Sequence, residues 1–274
     1  MSVVTVVPDD LRGVWTCTRV CHPDADPSDT APGMAPGKAP MWARWLQTRQ
    51  WHAHLRLPAG ALEGREALDL RRLNTAQLAA LTHQQAYVGH TQIQAQPEGD
   101  LCTWLRRADY QPPASWPETA WLMFDAPDRL LRIGVHADDT EVWQRLPDSV
   151  GRSRCLAGLD AQGEDDGRRV LVAGAYAMRA RLRPIAWPRG MRVGFTLAEA
   201  MMHQPDQALS WLDQELSFGR CEQGRWTVEH STLPAHEGRT LRCQMVRDAD
   251  DPGHAWLDIE GEAERWRVLE WSDA

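Results

Sequence analysis

Residues 41–60 read MWARWLQTRQWHAHLRLPAG, and the two-residue periodicity in the second half of this stretch decides the fold. Trp51, Ala53, Leu55 and Leu57 share one parity, His52, His54 and Arg56 share the other, and the run stops at Pro58 and Gly60. Successive side chains of a strand point to opposite faces, so this is a strand with one apolar and one polar face. In the ordinary outcome the apolar face turns inward and both histidines meet solvent. In the alternative, the polar face lines the lumen of a barrel.

The same signal recurs outward from this strand. AYVGHTQIQ, LCTWLRRADYQ, TAWLMFDA, RLLRIGVH and TEVWQRL follow, separated by Pro, Gly and Asp, as in an antiparallel meander. Before them, NTAQLAALTHQ offers Asn74 or Thr75 as an N-cap and Leu78 and Leu81 at helical spacing, which predicts one short helix. The second half repeats the order: an arginine-rich strand ending at Pro and Gly (ARLRPIAWPRG), a helix-prone stretch from Thr196 to Leu216 broken at Pro205, then LSFGRCEQ, GRWTVEH, RTLRCQMV, HAWLDIEG and RWRVLEW. Tyr87-Val88-Gly89 matches Phe218-Gly219, Trp104 matches Trp226, and Trp143 matches Trp266. Such a period is too long for a solenoid, whose repeats run about 20 to 50 residues. The chain therefore reads as all-β, two tandem antiparallel β-barrels with short helices, over residues 1–150 and 151–274. The boundary is placed at the start of residues 147–169, which show little sustained apolar periodicity, and residues 23–40 read as a long loop.

Fourteen tryptophans against three tyrosines and three phenylalanines concentrate the aromatic mass in one side chain, used first for packing. A net charge of −8 argues against nucleic acid as a partner, since that binding rests on clustered Lys and Arg. The only lysine, Lys38, lies in the Pro/Gly-rich loop, which leaves no candidate for a Schiff base in a pocket. The N-terminus lacks a basic, apolar leader, and no segment approaches the roughly 18 apolar residues of a membrane span, so a cytoplasmic protein with no membrane association is expected. Six scattered cysteines read as reduced thiols; Cys17, Cys21 and His22 are close in sequence, but no second ligand cluster of zinc spacing follows. No phosphate loop, G-x-S-x-G elbow, HExxH helix or paired CxxC is present, and neither a metal nor a cofactor is implied.

The stretches WLQTRQWHAHLRLPAG, QAYVG, CTWLRRADYQPP and DDTEVWQRL, with RWRVLEW at the end, resemble a family of cytoplasmic bacterial and fungal proteins. Its members are built from two lipocalin-like β-barrels and include a fungal casein-kinase-interacting protein. The resemblance spans most of the first half and patches of the second, and it contains no catalytic signature. It implies the two-barrel fold and a cytoplasmic setting, but no reaction. Where bacterial members tend to carry a tyrosine and an aspartate before the LR-x-P stretch, this chain has His52 and His54, and Leu105 stands where a histidine is expected.

The mixed strands of the first half supply the candidate site. Its ligand-binding set is Arg56, Tyr87, Trp104, Arg106, Glu141 and Trp143, with arginine holding an acidic group, tryptophan stacking, and carboxylates orienting arginine. Regular alternation puts Arg106 and Asp109 on opposite faces, and Tyr87 and His90 likewise, unless a bulge intervenes. The leading reading is a protein that binds a small, largely apolar or amphipathic ligand, with an acidic group as one option, in the first barrel. A second is a cofactor-independent isomerase, cyclase or lyase with His52 or His54 as general base and Asp109 or Arg106 steering charge. A haem-binding barrel using one of the histidines, or a scaffold for a protein partner, are further alternatives.

Overall fold

The computed structural model describes residues 6–21, 41–58, 68–97, 99–114, 116–136, 139–187 and 194–273. They form two closed antiparallel barrels of eight strands each. The first comprises β1 (Gly13–Cys21), β2 (Met41–Gln47), β3 (Trp51–Pro58), β4 (Gln85–Gln96), β5 (Gly99–Asp109), β6 (Glu118–Ala126), β7 (Arg129–Gly134) and β8 (Thr140–Arg145), closed by β8 pairing with β1. The second comprises β9 (Ser153–Leu159), β10 (Asp165–Ala173), β11 (Tyr176–Arg181), β12 (Glu215–Glu222), β13 (Arg225–Ser231), β14 (Thr240–Arg247), β15 (His254–Ile259) and β16 (Glu262–Ser272), closed by β16 pairing with β9. β9 and the start of β10 occupy the stretch whose weak periodicity suggested a boundary. Four of the seven β9 residues, Cys155 to Gly158, are buried in succession, so both faces of the strand are covered and no alternation results.

Helix α1 (Thr75–Leu81) joins β3 to β4, and Asn74 caps it in a reciprocal box with Gln77. The matching connection in the second barrel holds α2 (Leu197–His203), capped by Thr196 and Glu199, a turn at Pro205–Gln207, and α3 (Ala208–Leu212). Proline's missing N–H is the physical reason for the break. Among the described residues no helix is long and apolar enough to cross a membrane.

Both faces of β3 are buried, and the apolar one does not face the lumen. Trp51, Ala53, Leu55 and Leu57 join one cluster with Leu171, Met178, Leu216 and Phe218 of the second barrel, where β3 packs against β10 and β12. Burying a leucine of this kind contributes about 1.5–3 kcal/mol, so the row supplies much of the adhesion between barrels. Arg169 sits over the Trp51 ring at 4.8 Å, Trp42 packs on Phe218 at 5.7 Å, and Glu270 accepts the backbone N–H groups of Arg49 and Gln50 at 2.9 and 2.8 Å. The inward face of β3 therefore carries His52, His54 and Arg56 into the lumen. The ordinary apolar-in, polar-out outcome is overturned because a second apolar surface, the neighbouring barrel, is available outside.

Duplication extends to a defect. In β5 the pairing with β4 skips Arg107, between Val88↔Ala108 and Gly89↔Arg106; in β13 the pairing with β12 skips Glu229, between Phe218↔His230 and Gly219↔Val228. A Cβ on Gly89 would lie 1.9 Å from the Leu105 carbonyl oxygen, and one on Gly219 would lie 1.9 Å from that of Thr227. Each glycine is required by the close approach of the bulged strand. Gly89→Ala and Gly219→Ala are each expected to lower unfolding free energy by about 1–3 kcal/mol or more, the usual cost of overpacking. Urea titration checks this, and a loss under about 0.5 kcal/mol at either site, the scale of an ordinary surface change, would show the bulge to be readily remodelled.

Candidate functional site

The lumen of the first barrel has an aromatic layer around His54. Tyr87 stacks on this imidazole at 4.7 Å and 13°, and Trp45, Trp104 and Trp143 stand at 5.3, 5.9 and 6.0 Å. His52, His54, Trp45, Trp104 and Trp143 all have 0% accessible surface, so the layer leaves no water-sized gap beside them. Neither ring nitrogen of His54 has a hydrogen-bond partner among the described residues. Burial, with the Arg56, Arg132 and Arg106 guanidiniums as neighbouring charges, holds its pKa well below the ordinary value, so it is neutral.

His52 is held in one tautomer. Gln47 donates its amide to the Thr48 and Trp51 carbonyls, which turns its Oε1 toward Trp45 Nε1 at 3.1 Å and Thr91 Oγ1 at 2.8 Å. Thr91 spends its hydrogen on Gln47 and so accepts from His52 Nδ1 at 3.0 Å, leaving His52 Nε2 a bare acceptor. Burial pushes the His52 pKa down to about 3.

Nearer the end where β3, β5 and β7 finish, the wall carries a circuit of alternating charge. Arg56 donates to both Glu141 oxygens at 2.6 and 3.0 Å, and Arg132 bridges Glu141, at 3.2 Å, to Glu118. Arg106 bridges Glu118 to Asp109, at 2.6 Å from the latter. Tyr87 donates to Glu118 at 2.8 Å and Trp143 to Glu141 at 2.9 Å. Burial opposes ionisation of Glu118, but Arg132, Arg56 and Arg106 bring its pKa down to about 2; the same balance, with Arg56 and Arg132, lowers Glu141. For Asp109 burial prevails over Arg106 and the pKa is raised. The bulge makes the circuit possible: skipping Arg107 turns Arg106 and Asp109 to the same side, although their parities differ.

All nine residues singled out from the sequence, His52, His54, Arg56, Tyr87, Trp104, Arg106, Asp109, Glu141 and Trp143, thus meet in one lumen. The guanidiniums of Arg56 and Arg106 are engaged by carboxylates, so an acidic ligand has no free cation to meet there. His90 lies outside, its ring 3.9 Å from that of Trp51. Trp45, Glu118 and Arg132 are additional members. Glu118 ends the Pro-rich PPASWPE and reads as part of a turn, while Arg132 shares parity with Leu130, a mixed face that period-two continuity could have exposed. Both histidines are enclosed by neighbouring side chains, and no open space for a haem iron or a substrate lies beside either imidazole in this structure. Among the described residues no group of three or more His, Cys, Asp or Glu is placed to hold a metal; His22 lies outside them.

At matched positions the second barrel has Ala177 for His52, Ser217 for Tyr87, Val228 for Arg106 and Ser231 for Asp109, with Trp226 retained for Trp104. The two barrels share a frame and differ in the charged lining. No family model, curated protein or solved structure matches the chain.

The buried histidines set an acid limit. Their pKa values are depressed in the folded state, so below pH 6.5 the unfolded chain takes up protons that the native protein excludes, and stability falls with falling pH down to about 3 for His52. Each contributes about 1.4 kcal/mol per pH unit in that window. His54→Phe, which fills the same space without orphaned nitrogens, is expected to keep or raise stability at pH 7.5 and to reduce the slope between pH 6.5 and 5 by up to about 1.4 kcal/mol per pH unit. Urea titrations across that range test this; an unchanged slope would mean His54 is protonated in the native protein.

Proposed function

We propose that the first barrel binds a small amphipathic ligand at the end lined by the charged circuit, with a neutral, hydrogen-bonding head rather than an acidic one. One observation carries this reading: three arginines and three carboxylates occupy a lumen whose duplicated counterpart does without several of them. Apolar residues of similar volume stabilise a core as well as or better than buried ion pairs, so stability does not account for the circuit. Its outer members keep some contact with solvent, at 26% of the Arg106 side chain, 18% of Glu118 and 14% of Asp109. Across the barrel, on β1 and β2, the same end carries the half-buried Cys17 and Met41. The wall is thus charged on β5 and β6 and apolar on the opposite side, which suits a molecule with a polar head and an apolar body.

The balance of charge favours a head group that both donates and accepts, because each guanidinium already has a carboxylate. The filled aromatic layer stops the ligand short of His54. Titration with octanamide and with octanoate, followed by tryptophan fluorescence and unfolding temperature, tests this. Octanamide is expected to raise the unfolding temperature of the parent and not of Arg106→Ala, and octanoate to act more weakly. Equal responses from parent and variant, or none from either compound, would remove the reading.

A further inference from the structure

An opening of about 690 Å³ lies where the two barrels meet, lined by the turn between β2 and β3, the link between the barrels and the end of β16. Its volume is in the ordinary range of small-molecule sites, about 300–1,000 Å³. In a chain of net charge −8, the charged side chains around it are mainly cationic: Arg12, Arg49 and Arg152 against Asp9 and Glu270. Internal ion pairs do not satisfy these cations. Asp9 holds Arg12 at 2.6 Å. Glu270 is occupied by the β2–β3 turn, accepting from the Arg49 and Gln50 backbone N–H groups, and among the described residues no guanidinium pairs with it. The Arg49 side chain is exposed and makes no hydrogen bond or ion pair among the described residues. Arg152 is half-buried; it donates to the Gly174 and Cys221 carbonyls at 2.7 and 2.5 Å, and no carboxylate among the described residues pairs with it. A guanidinium held in a partly buried place by neutral carbonyls still lacks a counter-ion. The first lumen is the opposite case, since each of its guanidiniums already meets a carboxylate.

We propose that this opening binds a small organic phosphate, its dianion held by Arg49 and Arg152 and its apolar part lying against Leu269 and Trp271. Two guanidiniums without carboxylates match the two negative charges of a phosphate monoester, and the planar fork of arginine fits phosphate oxygens in pairs. The apolar wall is set in advance. Arg154 lies 3.9 Å from the centre of the Trp271 ring, and the indole N–H donates to Asp273 at 3.1 Å, so the ring is held in place without a ligand. Arg49 belongs to the first barrel, whereas Arg152, Leu269 and Trp271 belong to the link and the second barrel. A bound phosphate therefore bridges the barrels and stabilises their docking by mass action. The opening lies at the β2–β3 turn, the opposite end of β3 from Arg56 and the charged circuit, so this site and the ligand end of the first barrel stand or fall separately.

The test titrates the intact protein at pH 7.5 with phenyl phosphate, inorganic phosphate and benzoate, and follows the heat of binding by calorimetry. Phenyl phosphate is expected to saturate one site per chain, with inorganic phosphate and benzoate each binding at least about tenfold more weakly, because one lacks the apolar part and the other the second charge. Arg49→Ala and Arg152→Gln are each expected to weaken phenyl phosphate by about tenfold or more. Arg107→Ala removes an equally exposed arginine outside the opening and is expected to bind as the parent does. If Arg152→Gln does not fold, Arg49→Ala decides alone, since its side chain has no partner to lose. Absence of saturable binding to the parent, benzoate or inorganic phosphate binding as tightly as phenyl phosphate, or an Arg49→Ala response no different from that of Arg107→Ala would overturn the proposal.

Discussion

The structure depends on a strand with no solvent-facing side. β3 presents Trp51, Ala53, Leu55 and Leu57 to the second barrel and His52, His54 and Arg56 to its own lumen, so one strand supplies both the interface and the polar lining. This inverts the usual economy of a barrel, in which the interior takes the apolar row. The inversion is tenable only while the second barrel covers the outer face. Docking and lumen chemistry are therefore coupled in one segment: shifting its register by one residue would bury the histidines between barrels and turn leucines into the charged circuit.

The lumen divides into two layers with different physics. Around His54 the side chains are close-packed aromatic rings, and the imidazoles are held neutral by burial. Nearer the strand ends, charge is retained because each guanidinium meets a carboxylate in bidentate or bridging geometry. Removing one partner leaves a buried uncompensated ion, whereas the complete set is self-consistent. The second barrel, built on the same bulge and the same tryptophan, shows that the frame tolerates serine and valine at positions where the first has tyrosine and arginine.

Much of this was legible as a list of residues, less as an arrangement. Alternation at residues 51–57 located the decisive strand, and the Asn74 cap located α1, because both signals are local. The direction in which β3 faces was not legible, since it is set by a surface more than a hundred residues away. The pairing of Arg106 with Asp109 was hidden for another reason: a bulge reverses parity, and its only local trace is Gly89 on the neighbouring strand. β9 carries no such signal, because burial on both faces erases the alternation that marks a strand.

The central claim is that the charged circuit is kept for binding and not for folding. It is tested most directly by the unfolding free energy of Glu141→Gln, alone and combined with Arg56→Met; glutamine preserves an acceptor for Trp143. The single substitution is predicted to cost about 3–5 kcal/mol, because Arg56 is left buried without its counter-ion. The double variant removes one charge of each sign and is predicted to return to within about 1–2 kcal/mol of the parent. A double variant as unstable as the single one, or less stable, would contradict the claim and make the circuit part of what holds the barrel together.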